Sequence, residues 1–85
     1  MTPEQCRAAR AWLDMSQAEL AKAANVGLST VKDFESGKRT PIPSTQTAMR
    51  AVLERAGIGF PFALDGDETY ACGITFSKPV SSAAN

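Results

Sequence analysis

The 85-residue sequence predicts a mostly α fold, a bundle of about four short helices followed by a C-terminal β-hairpin. Two capping boxes, Thr2-Pro3-Glu4-Gln5 and Ser16-Gln17-Ala18-Glu19, mark helix starts, and apolar residues recur at helical spacing as far as Ala56. From Ile58 the apolar period changes to two, the signature of strands. A chain of this length cannot support two cores. It buries roughly 60 to 65% of its unfolded surface, which leaves a thin stability margin that pairing with a second copy would widen.

The first helix starts at Pro3, whose missing amide costs nothing at the first helical position, and runs to about Leu13 with Cys6, Ala9 and Leu13 on one face. Ser16 and Glu19 start a second near Gln17, where Leu20, Ala21 and Ala24 form the buried stripe. Asn25-Val26-Gly27 then turns the chain, since Asn and Gly tolerate a left-handed backbone. At about 100° per residue, the next helix, Leu28 to Ser36, points Val31 and Phe34 inward, with Thr30 and Glu35 at the borders of that face. Leu28, Ser29, Lys32 and Ser36 share the outer face, which is slim enough to enter a groove. Gly37 ends the helix, and Lys38-Arg39 place two cations just beyond it.

Thr40-Pro41-Ile42-Pro43 reads as an ordered linker, because each proline lacks a donor and restricts its predecessor. A fourth helix, from about Ser44 to Ala56, carries the stripe Ala48, Met49, Val52, Leu53 and Ala56 and stops at Gly57. In the hairpin, Ile58, Phe60, Phe62 and Leu64 alternate on one strand, and Tyr70, Cys72, Ile74 and Phe76 share a face of the other. The run Asp65-Gly66-Asp67-Glu68 is its turn, lacking the ligand pattern of a calcium loop. Two strands with an aromatic face need a cover. A second subunit would supply it through Phe60, Phe62, Tyr70, Ile74 and Phe76, pairing along the Tyr70 to Ser77 strand because Pro61 interrupts the other; folding back onto the chain's own helices is the alternative. The expected organisation is a helical unit over 1–57, a dimerising hairpin over 58–78 and a flexible tail over 79–85.

Net charge is zero, yet residues 1–57 hold eight basic against six acidic side chains, while 58–85 hold one against three. The acidic balance lies away from the third helix. Two cysteines and no histidine exclude an ordinary zinc site, and Cys6 and Cys72 are expected to be packing residues. No nucleophile has a base beside it and no glycine-rich loop could cradle a phosphate, so neither an enzyme nor a cofactor is expected. The absence of a signal-peptide pattern or membrane-spanning run points to a reduced cytoplasmic protein.

Three motifs in order, S-Q-x-E-L-A from Ser16, V-G-x-S-x-V from Val26 and F-E-x-G-K-R from Phe34, resemble the helix-turn-helix of the Cro and lambda repressor-like (XRE-type) DNA-binding family. The resemblance covers residues 3 to 57 and implies a lambda repressor-like helical bundle. Asn25 stands where the family commonly has Gly, Gly27 replaces the usual Ser cap, and Leu28 occupies a place where many members carry a polar base-reading side chain.

The resemblance implies that Leu28 to Ser36 reads double-stranded DNA. Ser29 can serve several base edges and Lys32 can reach both guanine acceptors. Gln17 would donate to a phosphate or brace the third helix, Leu28 and Thr30 lie on or beside the reading surface, and Ser36, Lys38 and Arg39 would grip the backbone. Arg10 matches a family position whose arginine pairs with the glutamate matching Glu35, a structural ion pair. The expected function is a transcriptional regulator, a repressor or an activator, binding a short operator as a homodimer; a short repressor of this kind needs no ligand if its own concentration governs it. The alternatives are an antitoxin-like autoregulator that also binds a protein partner, and a protein-interaction module that has lost DNA binding.

Overall fold

The computed structural model describes residues 1–78. Four helices come first: α1 (Pro3–Leu13), α2 (Gln17–Ala24), α3 (Leu28–Glu35) and α4 (Pro43–Arg55). Four short strands follow, β1 (Ile58–Gly59), β2 (Phe62–Asp65), β3 (Glu68–Ala71) and β4 (Thr75–Phe76). The tail expected over 79–85 lies outside the described residues.

Both capping boxes form with all their bonds. The Thr2 hydroxyl accepts from the Gln5 amide while Gln5 Oε1 accepts from the Thr2 amide, and Ser16 and Glu19 repeat the exchange. Three helices end by one device: Asp14 (φ 54°), Asn25 (φ 56°) and Gly37 (φ 79°) adopt the left-handed conformation. The amide of the following residue then reaches five residues back, Met15 to Arg10, Val26 to Ala21 and Lys38 to Asp33, each at 2.9 Å. Asp14 gave no sequence signal comparable to glycine, and Gly27 departs from expectation. Gly27 is extended (φ −70°) and caps α3 through its backbone, because Asn25 alone makes the left-handed turn. The fourth helix begins one residue earlier than expected, at Pro43, whose fixed φ suits a first helical position.

Cys6 and Ala9 of α1, Leu20 and Ala21 of α2, Val31 and Phe34 of α3, and Met49, Val52 and Leu53 of α4 form one core with Ile58 and Phe60. Met15 and Val26, the residues after two of the left-handed turns, pack against it, which fixes the angle at which the chain enters each next helix.

The tail folds as a hairpin that is broken midway. β2 and β3 pair antiparallel from Phe62 opposite Ala71 to Asp65 opposite Glu68, around a two-residue turn at Gly66 (φ 63°) and Asp67. β1 and β4 pair with Ile58 opposite Phe76 and Gly59 opposite Thr75. Between the two ladders the returning strand carries one extra residue, and Gly73 (φ 80°) sits in that bulge.

The bulge overturns the expectation of one continuous strand from Tyr70 to Ser77, because an added residue reverses which face later side chains occupy. Phe62 and Tyr70 also fall on opposite faces of their ladder, since Tyr70 lies opposite Ala63. Phe60 is only 8% exposed, buried in the protein's own core beneath the Arg50 guanidinium, and is therefore withdrawn from any dimer face. Cys72 lies in the break and is exposed, so only Cys6 is a packing residue.

Candidate nucleic-acid interface

The candidate interface is built on the two ends of α3. Leu28 opens the helix, and Leu28, Ser29, Lys32 and Ser36 are exposed while Thr30 is half-buried. Ser29, Thr30 and Arg39 line a shallow depression with Asp33, Pro41 and Thr45, where the connection to α4 runs beside α3. The Lys38 and Arg39 amides both bond the Asp33 carbonyl, at 2.9 and 3.2 Å, so these two cations project from an anchored backbone. The Ser36 hydroxyl donates to the same carbonyl at 3.1 Å. A phosphate oxygen only accepts, so that hydroxyl must rotate before it can bond one.

The far end of α3 is held by Glu35, which is 2% exposed and not at the border of the buried face as its helical angle suggested. Burial is possible because the carboxylate is fully partnered. Arg10 grips it with two bonds, Nε to Oε2 and Nη2 to Oε1, each 2.6 Å, in a fork-to-fork geometry. Gln17 Nε2 donates to Oε1 at 2.9 Å, and the Cys6 thiol donates to Oε2 at 3.1 Å. Arg7 donates to the Glu35 carbonyl, satisfying a helix-end acceptor with a cation where the helix dipole favours one.

Burial alone pushes the Glu35 carboxyl upward, but the bonds from Arg10, Gln17 and Cys6 outweigh it, and the group lies below the usual carboxylate range. The same environment pushes the Cys6 thiol up, first through burial and then through its bond to Glu35, so it stays protonated and remains a donor. α1 and α2 thus both fasten the last residue of α3. Gln17 acts here as the brace, with its second N–H left to donate elsewhere. Cys6 and Arg7 were missed as members of this network. Their sequence signal was the shared face of Cys6, Arg10 and Arg7 on α1, three and four residues apart.

Gln5, expected to close the capping box, has a second role that was missed. Its side chain, 1% exposed, closes the capping box and donates from Nε2 to the carbonyls of Gly73 at 2.9 Å and Pro61 at 3.3 Å. The break in the hairpin is thereby tied to the start of α1. Pro61 needs no donor there, and its carbonyl also accepts from Cys72 at 3.0 Å. Of the residues expected at a dimer face, Phe62, Tyr70 and Phe76 are exposed, and Ile74 packs partly against the core. Trp12, missed from sequence, is 62% exposed and sits 5.6 Å from Phe76, ring centre to ring centre.

Two helices joined by a tight turn, the second presenting a slim outer face and fixed at its far end, define a helix-turn-helix module. A family model described as Helix-turn-helix matches residues 7–51, more than half of the chain. The chain belongs to that family, the Cro/C1-type XRE helix-turn-helix proteins, a family of DNA-binding regulators. A search of curated proteins found no match. Among the described residues no helix is long and apolar enough to cross a membrane.

Proposed function

We propose that this protein is a sequence-specific transcriptional regulator that binds a short operator as a homodimer and lays α3 in the major groove. One observation carries the reading: α3 exposes Leu28, Ser29 and Lys32 together while Glu35 ties its other end to α1 and α2. A reading helix must meet base edges without losing entropy on docking, and anchoring of this kind provides the preorganisation. In this role Ser29 and Lys32 contact bases, Lys38 and Arg39 contact phosphates, and Gln17 keeps α3 seated while its free N–H faces the backbone.

Few cations serve each subunit, so one copy binds weakly and two copies on adjacent half-sites gain affinity by avidity. The exposed Trp12 and Phe76, whose rings lie together, support a dimer face on α1 and the hairpin, with Phe60 excluded and Phe62 and Tyr70 on opposite faces of their ladder. The test is selection of bound duplexes from a random pool, followed by fluorescence anisotropy at several salt concentrations and sedimentation of the free protein. The expected consensus has twofold symmetry with half-sites about one helical turn, ~34 Å, apart. No saturable duplex binding at low salt overturns the proposal in favour of a protein-interaction module.

A further inference from the structure

Leu28 is the side chain on the outer face of α3 that polar readout leaves unexplained. It is 40% exposed, and it belongs neither to the core nor to the partly buried residues packed against it. Its neighbours on that face, Ser29 and Lys32, are polar. Leu28 is also the first residue of α3, behind a Gly27 cap that adds no side chain. The first residues of a recognition helix are the ones that meet base edges.

We propose that Leu28 reads the 5-methyl group of a thymine, so that each half-site carries one obligatory T·A pair recognised by apolar contact. This rests on the DNA-binding reading above. Leucine has no donor or acceptor, so it cannot satisfy guanine O6 and N7, adenine N6 and N7, or cytosine N4, and covering any of these leaves a polar atom stripped of water. Thymine is the one standard base that offers an apolar group in the major groove. Ser29 and Lys32 then read neighbouring pairs by hydrogen bonds.

The experiment takes the operator selected from random duplexes and replaces each thymine in turn by deoxyuridine, which removes the methyl and leaves every hydrogen-bonding group. Wild-type protein is expected to lose roughly fourfold in affinity at one thymine per half-site and about fifteenfold when both are replaced, the effect of one or two buried methyl groups. At that position 5-methylcytosine should bind more tightly than cytosine. Leu28→Ala should bring the thymine-to-uracil ratio close to one, while Lys32→Ala should leave that ratio intact and relax a different base pair. Leu28 is exposed, so Leu28→Ala is expected to keep the wild-type circular dichroism and unfolding midpoint. A selected operator insensitive to every uracil replacement, or a ratio that survives Leu28→Ala, overturns the assignment of Leu28 and leaves DNA binding standing. Failure to select any duplex overturns both.

Discussion

Removing the Arg10 side chain gives the sharpest test of how α3 is held. The Glu35 carboxylate, 2% exposed, loses both guanidinium bonds in Arg10→Ala and keeps only the neutral donors of Gln17 and Cys6. Breaking a buried ion pair from one side costs about 3 to 5 kcal/mol. The Arg10 side chain is 17% exposed, so water already reaches the guanidinium and the lower end, about 3 kcal/mol, applies. Loss of the bond from Arg10 Nη1 to the Met15 carbonyl, 3.0 Å, adds about 1 kcal/mol. Small domains have only about 5 to 15 kcal/mol in total, so the variant should remain folded with a much reduced margin.

Urea unfolding followed by circular dichroism measures this. With a slope of about 1 kcal/mol per molar for a domain this small, the midpoint should fall by roughly 4 M at neutral pH. The pH dependence separates charge pairing from lost packing. The Glu35 carboxyl lies below its unfolded value, so its contribution is complete above the unfolded value, about 4.3, and disappears as pH falls through the lower folded one. The gap between wild type and Arg10→Ala should therefore close in acid. A gap below about 1 kcal/mol at pH 7, or one that persists unchanged at pH 3, refutes the reasoning.

Further outcomes follow from other contacts. Gln5→Ala leaves the Gly73 carbonyl without its donor and the Pro61 carbonyl with only the Cys72 amide, and should cost about 1 to 3 kcal/mol, with faster amide exchange at Cys72 and Ser77 than in α2. Gly59→Ala drives a methyl into Thr75 Oγ1 and should destabilise by about 1 to 3 kcal/mol, most of which Gly59→Ala with Thr75→Ala recovers in thermal melts. Lys38→Ala should weaken binding to all duplexes alike and reduce the salt slope by about one, whereas Lys32→Ala should relax one base pair by about 1 to 3 kcal/mol. Phe76→Ser removes the ring beside Trp12 and should shift sedimentation of the free protein toward monomer at concentrations where wild type pairs.

The helices were legible because their start signals are local. A capping box is complete within four residues, and the reciprocal bonds at Thr2 and Ser16 each span only three positions. Gly37 was legible as a stop for the same reason, while Asp14 was not, since an aspartate enters the left-handed region far less often than glycine and the packing of Met15 on the core that accompanies it is a tertiary contact. The burial of Glu35 was hidden by its helical angle. What takes a carboxylate inside is a set of donors from α1 and α2, and no period within α3 can encode them.

The tail shows the opposite limit. Its period of two was real, yet the bulge at Gly73 cancels that period beyond Ala71, and only the pairing of Gly59 with Thr75 reveals the slip. At the slip the Gln5 side-chain amide donates to the carbonyls of Gly73 and Pro61, the latter shared with the Cys72 amide across the hairpin, so the irregular segment is tied to α1. Ile58 and Phe60 then enter the helical core, and Phe76 comes to lie against Trp12. The same one-residue slip that spoils the aromatic face expected from alternation therefore goes with a different one shared by α1 and β4, Trp12 against Phe76, so the dimer proposed above would join helix and hairpin together.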